Sequence, residues 1–427
     1  LRTTRAPRAR LGAAAVLVAA GLAACAGGDD GGTPVINLYG AASAAGFDQI
    51  IDACNEEAEG RYKIVGNLLP SDADGQREQL VRRLAAHDDG MDVMSTDVTW
   101  TAEFAEAGWI KELDEEQTRL ASEDTLQPTL DTATWKDKLY GIPKHTNVQL
   151  LWYRKSLVPN PPKTWDEMFE MAQKLKDEGQ PYEIGVTAAR YEGYVVTFNT
   201  ILSTYGGTLV NEDSTEPTVD ENTVKSLALI KRLADSGLAS ASLSNAQEPE
   251  VFASMQQGKA AFIINWPYVL SAMRAAGETD ENSKKIADDL GFATYPSVEE
   301  GKPPRVTLGG ANFTISEFSK HPDLAFEAAM CMRTPEHQLM HAINAGEPPV
   351  AESVYEEPEF QEAYPQYQVM LAELQTAVPR PVTPLYQNIS TIVSSLLSPP
   401  KGIDPESTSE DLRDGIQDAL DGKGILP

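Results

Sequence analysis

Two hydrophobic rhythms alternate along this chain of 427 residues. Short apolar runs mark buried strands, and apolar residues three and four apart mark amphipathic helices. Residues 35–39 read as a first strand. Phe47, Ile50, Ile51, Cys54 and Ala58 then keep helical spacing up to Gly60. Residues 62–69 return as a strand, and residues 76–86 as a helix with Leu80, Val81, Leu84 and Ala85 on one face. Residues 91–94 form another strand, and residues 101–107 a short helix closed by Gly108. Strands and helices alternating across short loops predict a parallel sheet wrapped by helices.

The stretch from Lys144 to Met168 organises the middle of the chain. It opens with the exposed-looking polar residues His145 and Asn147 and continues as an apolar strand, Leu150 to Tyr153. It breaks on Pro159, Pro161 and Pro162, which cannot continue a strand or helix interior. Thr164 is then a good helix N-cap, and Glu167 completes a capping box. Met168, Phe169, Ala172 and Leu175 follow at helical spacing, and Gly179 can end that helix.

The alternation continues beyond it. Residues 192–205 are helical and stop at Gly206. Residues 221–236 form an amphipathic helix closed by Gly237. Residues 249–257 form a short helix, 260–265 a strand, and a helix follows Trp266-Pro267 up to Ala276. Residues 291–295 and 306–315 read as strands, and residues 323–333, 336–343, 390–397 and 410–420 as helices. The chain therefore holds one α/β grammar in two halves. It is too long for one typical core, so two or more domains are expected. In such sheets ligands sit at the carboxyl ends of strands and between domains.

Charge narrows the partners. Thirty-five basic and 64 acidic residues give a net charge of −29. That argues against nucleic acid or an anionic membrane surface as the main partner. The first residues read as a targeting segment over 1–24. Arg2, Arg5, Arg8 and Arg10 form a positive region, and an Ala-rich apolar run from Leu11 to Ala24 is too short to span a bilayer comfortably. It ends in Leu22-Ala23-Ala24-Cys25, which looks like a bacterial lipobox with Cys25 as the acylated residue. Residues 25–34 then read as a flexible tether holding the chain to the outer face of the membrane. Removing Cys25 leaves Cys54 and Cys331. In an oxidising compartment an even pair suggests a disulfide, and two buried thiols are the alternative.

Several runs resemble bacterial extracellular solute-binding proteins of the maltose-binding type. LYGIPK at 139–144 is similar to that family's entry to its first interlobe crossover. FASMQQGKAAF at 252–262, followed by Asn265-Trp266-Pro267, is similar to its short helix, glycine and strand. GGANF at 309–313 and the segment from Pro379-Arg380-Pro381 to Tyr386 resemble the second and third crossovers. Longer runs, among them WTAEFAEAGW at 100–109, NVQLLWYR at 147–154 and DPEST at 404–408, resemble the branch of trehalose-binding lipoproteins of mycobacterial ABC importers.

The resemblance implies a two-lobed α/β fold with a central ligand cleft. One lobe would take residues 35–142 and 313–377, the other residues 149–306 and 387–427. Hinge crossovers would lie at 143–148, 307–312 and 378–386. It implies a monomer that serves ABC permease subunits with a cytoplasmic ATPase and uses no cofactor. By the same resemblance the sugar-contacting positions fall on Gln76, Asp97, Asn147, Glu248, Trp266, Gly310 and Arg380, with trehalose as ligand and maltose-type sugars as the alternative. Each type suits a sugar. Carboxylates and amides satisfy hydroxyls that both donate and accept, and an ionised acceptor makes the stronger bond. The Arg380 guanidinium can donate to two oxygens. Trp266 offers a flat apolar face to a pyranose, and Gly310 lets backbone approach closely.

Other readings compete. Asp97 and Glu248 can be read as a glycosidase pair, but a chain this acidic offers many such pairs. No G-x-S-x-G, H-E-x-x-H or P-loop is present, so the expectation is a binder rather than an enzyme. A receptor for peptides, metals or polyamines on the same fold is a third class. Metal is disfavoured with five His residues and no clustered Cys. His337 and His341 have helical metal spacing, but their run, EHQLMH, reads as an exposed helix face.

Overall fold

The computed structural model describes residues 32–41 and 47–423. The lipobox-like run expected to end at Cys25, the segment before it and most of the expected tether lie outside the described residues. Among those described, no helix is long and apolar enough to cross a membrane.

Two sheets carry the molecule. The first contains β1 (Val35–Ala41), β2 (Lys63–Leu69) and β3 (Val93–Asp97). A small hairpin, β4 (Thr134–Trp135) and β5 (Lys138–Leu139), precedes β6 (Gly141–Asn147). The second sheet contains β7 (Leu150–Arg154), β8 (Glu183–Gly185), β9 (Ala260–Asn265) and β10 (Leu290–Ala293). The chain then returns to the first sheet as β11 (Gly309–Ile315). Strand order is β2-β1-β3-β11-β6 in the first sheet and β10-β7-β9-β8 in the second.

The parallel expectation holds only for part of this. β1 pairs in parallel with β2 and β3, but β11 runs antiparallel to both β3 and β6. In the second sheet only β8 and β9 are parallel. The cause is connectivity: β6 and β11 each adjoin a passage between sheets, so neither needs a helical return that would keep it parallel.

Both faces of the first sheet are covered. Ile36, Ile64, Val93 and Phe313 pack with the Phe47–Glu57 and Pro322–Met332 helices. Tyr39, Leu69 and Met94 point to the other face, where Leu80 and Leu84 of the Ala73–Ala85 helix meet Trp100 and Phe104. Strand alternation sorts these side chains, with Leu38 on one face and Tyr39 on the other. On the first face Cys54 and Cys331 are joined across the two helices, with Cα atoms 5.9 Å apart.

The second sheet sits in the larger core. Leu151, Trp152, Phe262 and Ile263 pack with Trp165, Tyr194, Phe198 and Leu227 from surrounding helices. The Tyr386–Leu396 and Pro405–Leu420 helices close this half. Residues 352–374, grouped by the sequence reading with the first sheet, instead share this core through Phe360, Met370 and Leu374. Tyr295 N–H donates to Glu373 there, and Arg274 donates to the Ala363 carbonyl. The result is a two-lobed α/β fold.

Two passages between the lobes lie side by side. Val378 N–H donates to the Val306 carbonyl at 2.8 Å, and Leu308 N–H to the Val378 carbonyl at 2.8 Å. Helix ends follow local chemistry: Thr164 accepts from Glu167 N–H at 3.2 Å. The expected capping box is not reciprocal, because Glu167 reaches one residue further and accepts from Lys163 N–H at 2.7 Å.

Candidate functional site

Strand register assembles one wall of a cavity. Gly309 lies opposite Asn147, and Ala311 opposite Asp97, so the ends of β3, β6 and β11 converge. Across from them β9 ends at Asn265, opposite the start of β7, and the chain turns into Trp266. Asn265 is buried, and its Oδ1 accepts from Trp266 N–H at 2.8 Å, which fixes that turn. The cavity has a volume of about 260 Å³, just below the roughly 300–1,000 Å³ of drug-sized ligand sites. Gln76, Asp97, Asn147, Glu248, Trp266, Gly310 and Arg380 all line it.

Each has a distinct footing. Asp97 Oδ1 accepts from Thr99 N–H at 2.9 Å and from the Thr99 hydroxyl at 2.7 Å, while its Oδ2 has no hydrogen bond among the described residues. Glu248 Oε2 accepts from the Tyr191 hydroxyl at 2.6 Å, and its Oε1 lies 3.5 Å from the Trp266 ring N–H. Asn147 Oδ1 is buried without a hydrogen-bond partner among the described residues. Gln76, in the first turn of the Ala73–Ala85 helix, is tied only loosely to the Ser71 carbonyl at 3.4 Å. Gly310 has φ +129°, and a Cβ there would fall 2.4 Å from the His145 carbonyl oxygen. Its neighbour Gly309 lets the Trp266 ring come within about 3.1 Å of where a Cβ would be.

Arg380 is the electrostatic centre. It is buried and donates to Glu192 at 2.5 Å and to Asp97 at 3.3 Å. Burial alone would lower its pKa, but Asp97, Tyr386 and Glu192 hold it above its ordinary value. Glu192 is pushed up by burial, against Arg380 and the Ser390 and Tyr386 hydroxyls.

The sequence reading missed Asp72, Tyr191, Glu192, Lys144 and Glu347, which line the same cavity. Asp72 was legible as an N-cap, since it accepts from Gly75 N–H at 2.8 Å. Glu347 lies in a loop without periodicity, and no local signal marks it. His337 and His341 depart from the expected exposed face, being only 3% and 5% exposed. Their helix packs against Phe47, and His341 Nε2 lies 2.7 Å from Glu347 Oε2. His145 Nδ1 approaches the same oxygen at 3.0 Å. Burial would raise the Glu347 pKa, but His145, His341 and Lys144 hold its carboxyl well below the usual range. Among the described residues this trio and Cys54, Cys331 and His337 are the sets with donors close enough to hold a cation. In the second set the sulfurs are bonded to each other. In the first the carboxylate already serves two rings, and the Lys144 charge opposes a cation.

Comparison with known proteins agrees with this architecture. The chain is 26% identical over 366 residues to a probable ABC transporter-binding protein of Deinococcus radiodurans, covering 81% of this chain and 85% of that one. It is 28% identical over 231 residues to a galactooligosaccharide-binding protein of Bacillus subtilis, about half of each chain. Among solved structures, the maltose-bound T. maritima MalE3 superposes with a TM-score of 0.80 at 25% identity, covering 90% of this chain and 99% of that one. The family model described as bacterial extracellular solute-binding protein matches residues 40–339, and the chain belongs to that family.

Proposed function

We propose that this chain is the sugar-binding component of an ABC importer, that it captures a neutral disaccharide between its lobes, and that it delivers the sugar unchanged to a membrane permease. The observation carrying the reading is the lining of one cavity by Asp97, Glu248, Asn147, Gln76, Arg380 and Trp266. Acceptors, an amide pair, a guanidinium and a flat aromatic face suit a polyol better than a peptide or an ion. The likeness to a probable ABC transporter-binding protein, to a galactooligosaccharide-binding protein and to a maltose-bound structure supports the importer and the sugar class.

Trehalose is the favoured sugar. This rests on the runs that resemble the mycobacterial trehalose-binding lipoprotein LpqY. The lipid anchor at Cys25 rests on the lipobox-like sequence, and the extracytoplasmic location on the family. The second reading is a maltose-type or galactose-containing oligosaccharide, favoured by the galactooligosaccharide-binding relative and the maltose-bound structure. Calorimetry with trehalose, maltose, maltotriose and galactobiose separates them. Trehalose is expected to bind most tightly and to be recovered intact. Tight maltose binding without trehalose binding would overturn the sugar but keep the site. Release of glucose would overturn the binding-only role.

A further inference from the structure

The helix Glu192–Tyr205 begins beside the cavity without a cap of its own. Its N-cap residue, Tyr191, makes no side-chain cap hydrogen bond. The first amides of a helix have no partner within it and need one from elsewhere. Glu192 does not supply it, since its carboxylate is taken by Arg380, Tyr386 and Ser390. The acceptor comes from the opposite lobe. Asp74 Oδ2 receives the Glu192 backbone N–H at 3.3 Å, and Asp74 Oδ1 receives the Gln387 side-chain amide at 3.1 Å. Asp74 lies in the first turn of the Ala73–Ala85 helix, which packs on the first sheet. Glu192 and Gln387 lie on two helices that pack together in the second lobe.

We infer that Asp74 is a closure latch, an N-cap supplied across the cleft that forms only when the lobes meet. It rests on the two-lobed binder reading above, but not on which sugar is bound. Three features make it a latch rather than a ligand contact. Asp74 is absent from the cavity lining, although Asp72, Ala73 and Gln76 around it and Tyr191, Glu192 and Gly193 opposite it are present. Its carboxylate faces a helix N-terminus, where the backbone dipole favours negative charge. Both of its partners belong to the other lobe, so separation of the lobes breaks both bonds together. The ligand and the latch therefore need the same approach of the same two segments, and each favours the other.

The test measures lobe separation without relying on sugar. Nitroxides are placed at the exposed positions by Arg82→Cys and Glu221→Cys, with Cys25→Ser, and their distance distribution is read by pulsed electron resonance. Wild type is expected to show a short-distance component that grows on adding trehalose. Asp74→Ala should cut the sugar-free component at least about threefold. It should also weaken sugar binding about tenfold, the scale of one hydrogen bond to a charged group, mainly through faster release. Gln387→Ala should give a smaller effect, and the double variant should be no worse than Asp74→Ala alone. Asp74→Asn preserves the shape but sets an N–H against one donor, so it should fall between, and it serves if Asp74→Ala does not fold. An unchanged distance distribution in Asp74→Ala or Asp74→Asn would overturn the latch, as would a wild type with no short-distance component with or without sugar. Failure of every sugar to bind would overturn the proposed function while leaving the distance measurement readable.

Discussion

The Tyr191 hydroxyl donates to the Glu248 carboxylate at 2.6 Å, and the other oxygen of that carboxylate faces the Trp266 ring N–H at 3.5 Å. Glu248 is thus held between a phenol and an indole at the cavity wall. In the proposed site its loss would remove an acceptor for the sugar and also free the Trp266 ring from its carboxylate partner. Glu248→Ala is expected to cost about 1.5–3 kcal/mol of binding, as for a hydrogen bond to a charged group. Tyr191→Phe keeps the carboxylate but frees its orientation, and about 1 kcal/mol should be lost. Calorimetry with the preferred sugar checks both, and wild-type affinity in Glu248→Ala would remove it from the site.

Asp97 differs because one oxygen is already used by Thr99 and Arg380. Asp97→Ala should cost a similar 1.5–3 kcal/mol of binding, about one to two decades in affinity. It also leaves Arg380 with Glu192 as its remaining carboxylate partner at close range. Trp266→Ala should lose at least as much through the missing stacking face. Neither change should prevent folding, because Asp97 and Trp266 are partly exposed at the cavity rather than in a lobe core. Thermal melts of ligand-free variants provide that control.

Gly310→Ala tests how the backbone shapes the wall. At φ +129° a Cβ would meet the His145 carbonyl oxygen at 2.4 Å and the Thr146 Cα at 2.9 Å. Both are main-chain atoms, so relief requires β11 and β6 to separate at the cavity. Strain of this kind costs about 1–3 kcal/mol. The variant should melt lower than wild type and bind sugar more weakly. Normal affinity together with a normal melting temperature would show that the strands give way easily.

Much of the fold was legible because long amphipathic segments announce themselves. The helices Glu192–Tyr205 and Glu221–Ser236 and the strand Ala260–Asn265 have the bounds that periodicity and closing glycines predict. The short helices Glu115–Ser122, Pro358–Ala363 and Tyr367–Leu374 were not legible, since so few turns leave little periodic signal. Strand direction was not legible either, because whether β11 runs parallel depends on where the chain comes from. The cavity positions came from resemblance, not from local pattern. Physical reading could name suitable groups such as Trp266, but only strand register brings Asp97 and Asn147 to one wall. The burial of His341 was hidden because its partners, Phe47 and Glu347, are supplied by distant or irregular segments.

The Cys54–Cys331 bond closes a loop with a sequence separation of 277. A cross-link of that length restricts the unfolded chain strongly, and removing a native disulfide typically costs about 2–5 kcal/mol. The double variant Cys54→Ala, Cys331→Ala should unfold at lower denaturant while keeping sugar affinity, because neither residue lines the cavity. Denaturant melts of oxidised, reduced and variant protein check this. Coincident curves would show that the link contributes nothing to stability.

Glu373, which does not line the cavity, gives the molecule a pH dependence of its own. It is 2% exposed, and its carboxylate accepts from Tyr295 N–H at 2.6 Å. Burial pushes its pKa from an ordinary 4.5 up to about 8, with the Tyr295 hydrogen bond opposing only in part. Between those values the folded chain holds a proton that the unfolded chain has released. Stability contributed by this group is therefore fully present below pH 4.5 and declines as pH rises toward 8. One pKa unit is worth about 1.36 kcal/mol, and relaxation around the charged form leaves about 2 kcal/mol as the expected loss. Glu373→Gln keeps an acceptor for Tyr295 and cannot ionise. Its stability should match wild type near pH 5 and exceed it by about that amount near pH 8. Urea denaturation of both proteins across this range is the measurement, and the quantity of interest is their difference, since other groups titrate equally in each. Parallel curves would show that Glu373 ionises in the folded protein as easily as in the unfolded one.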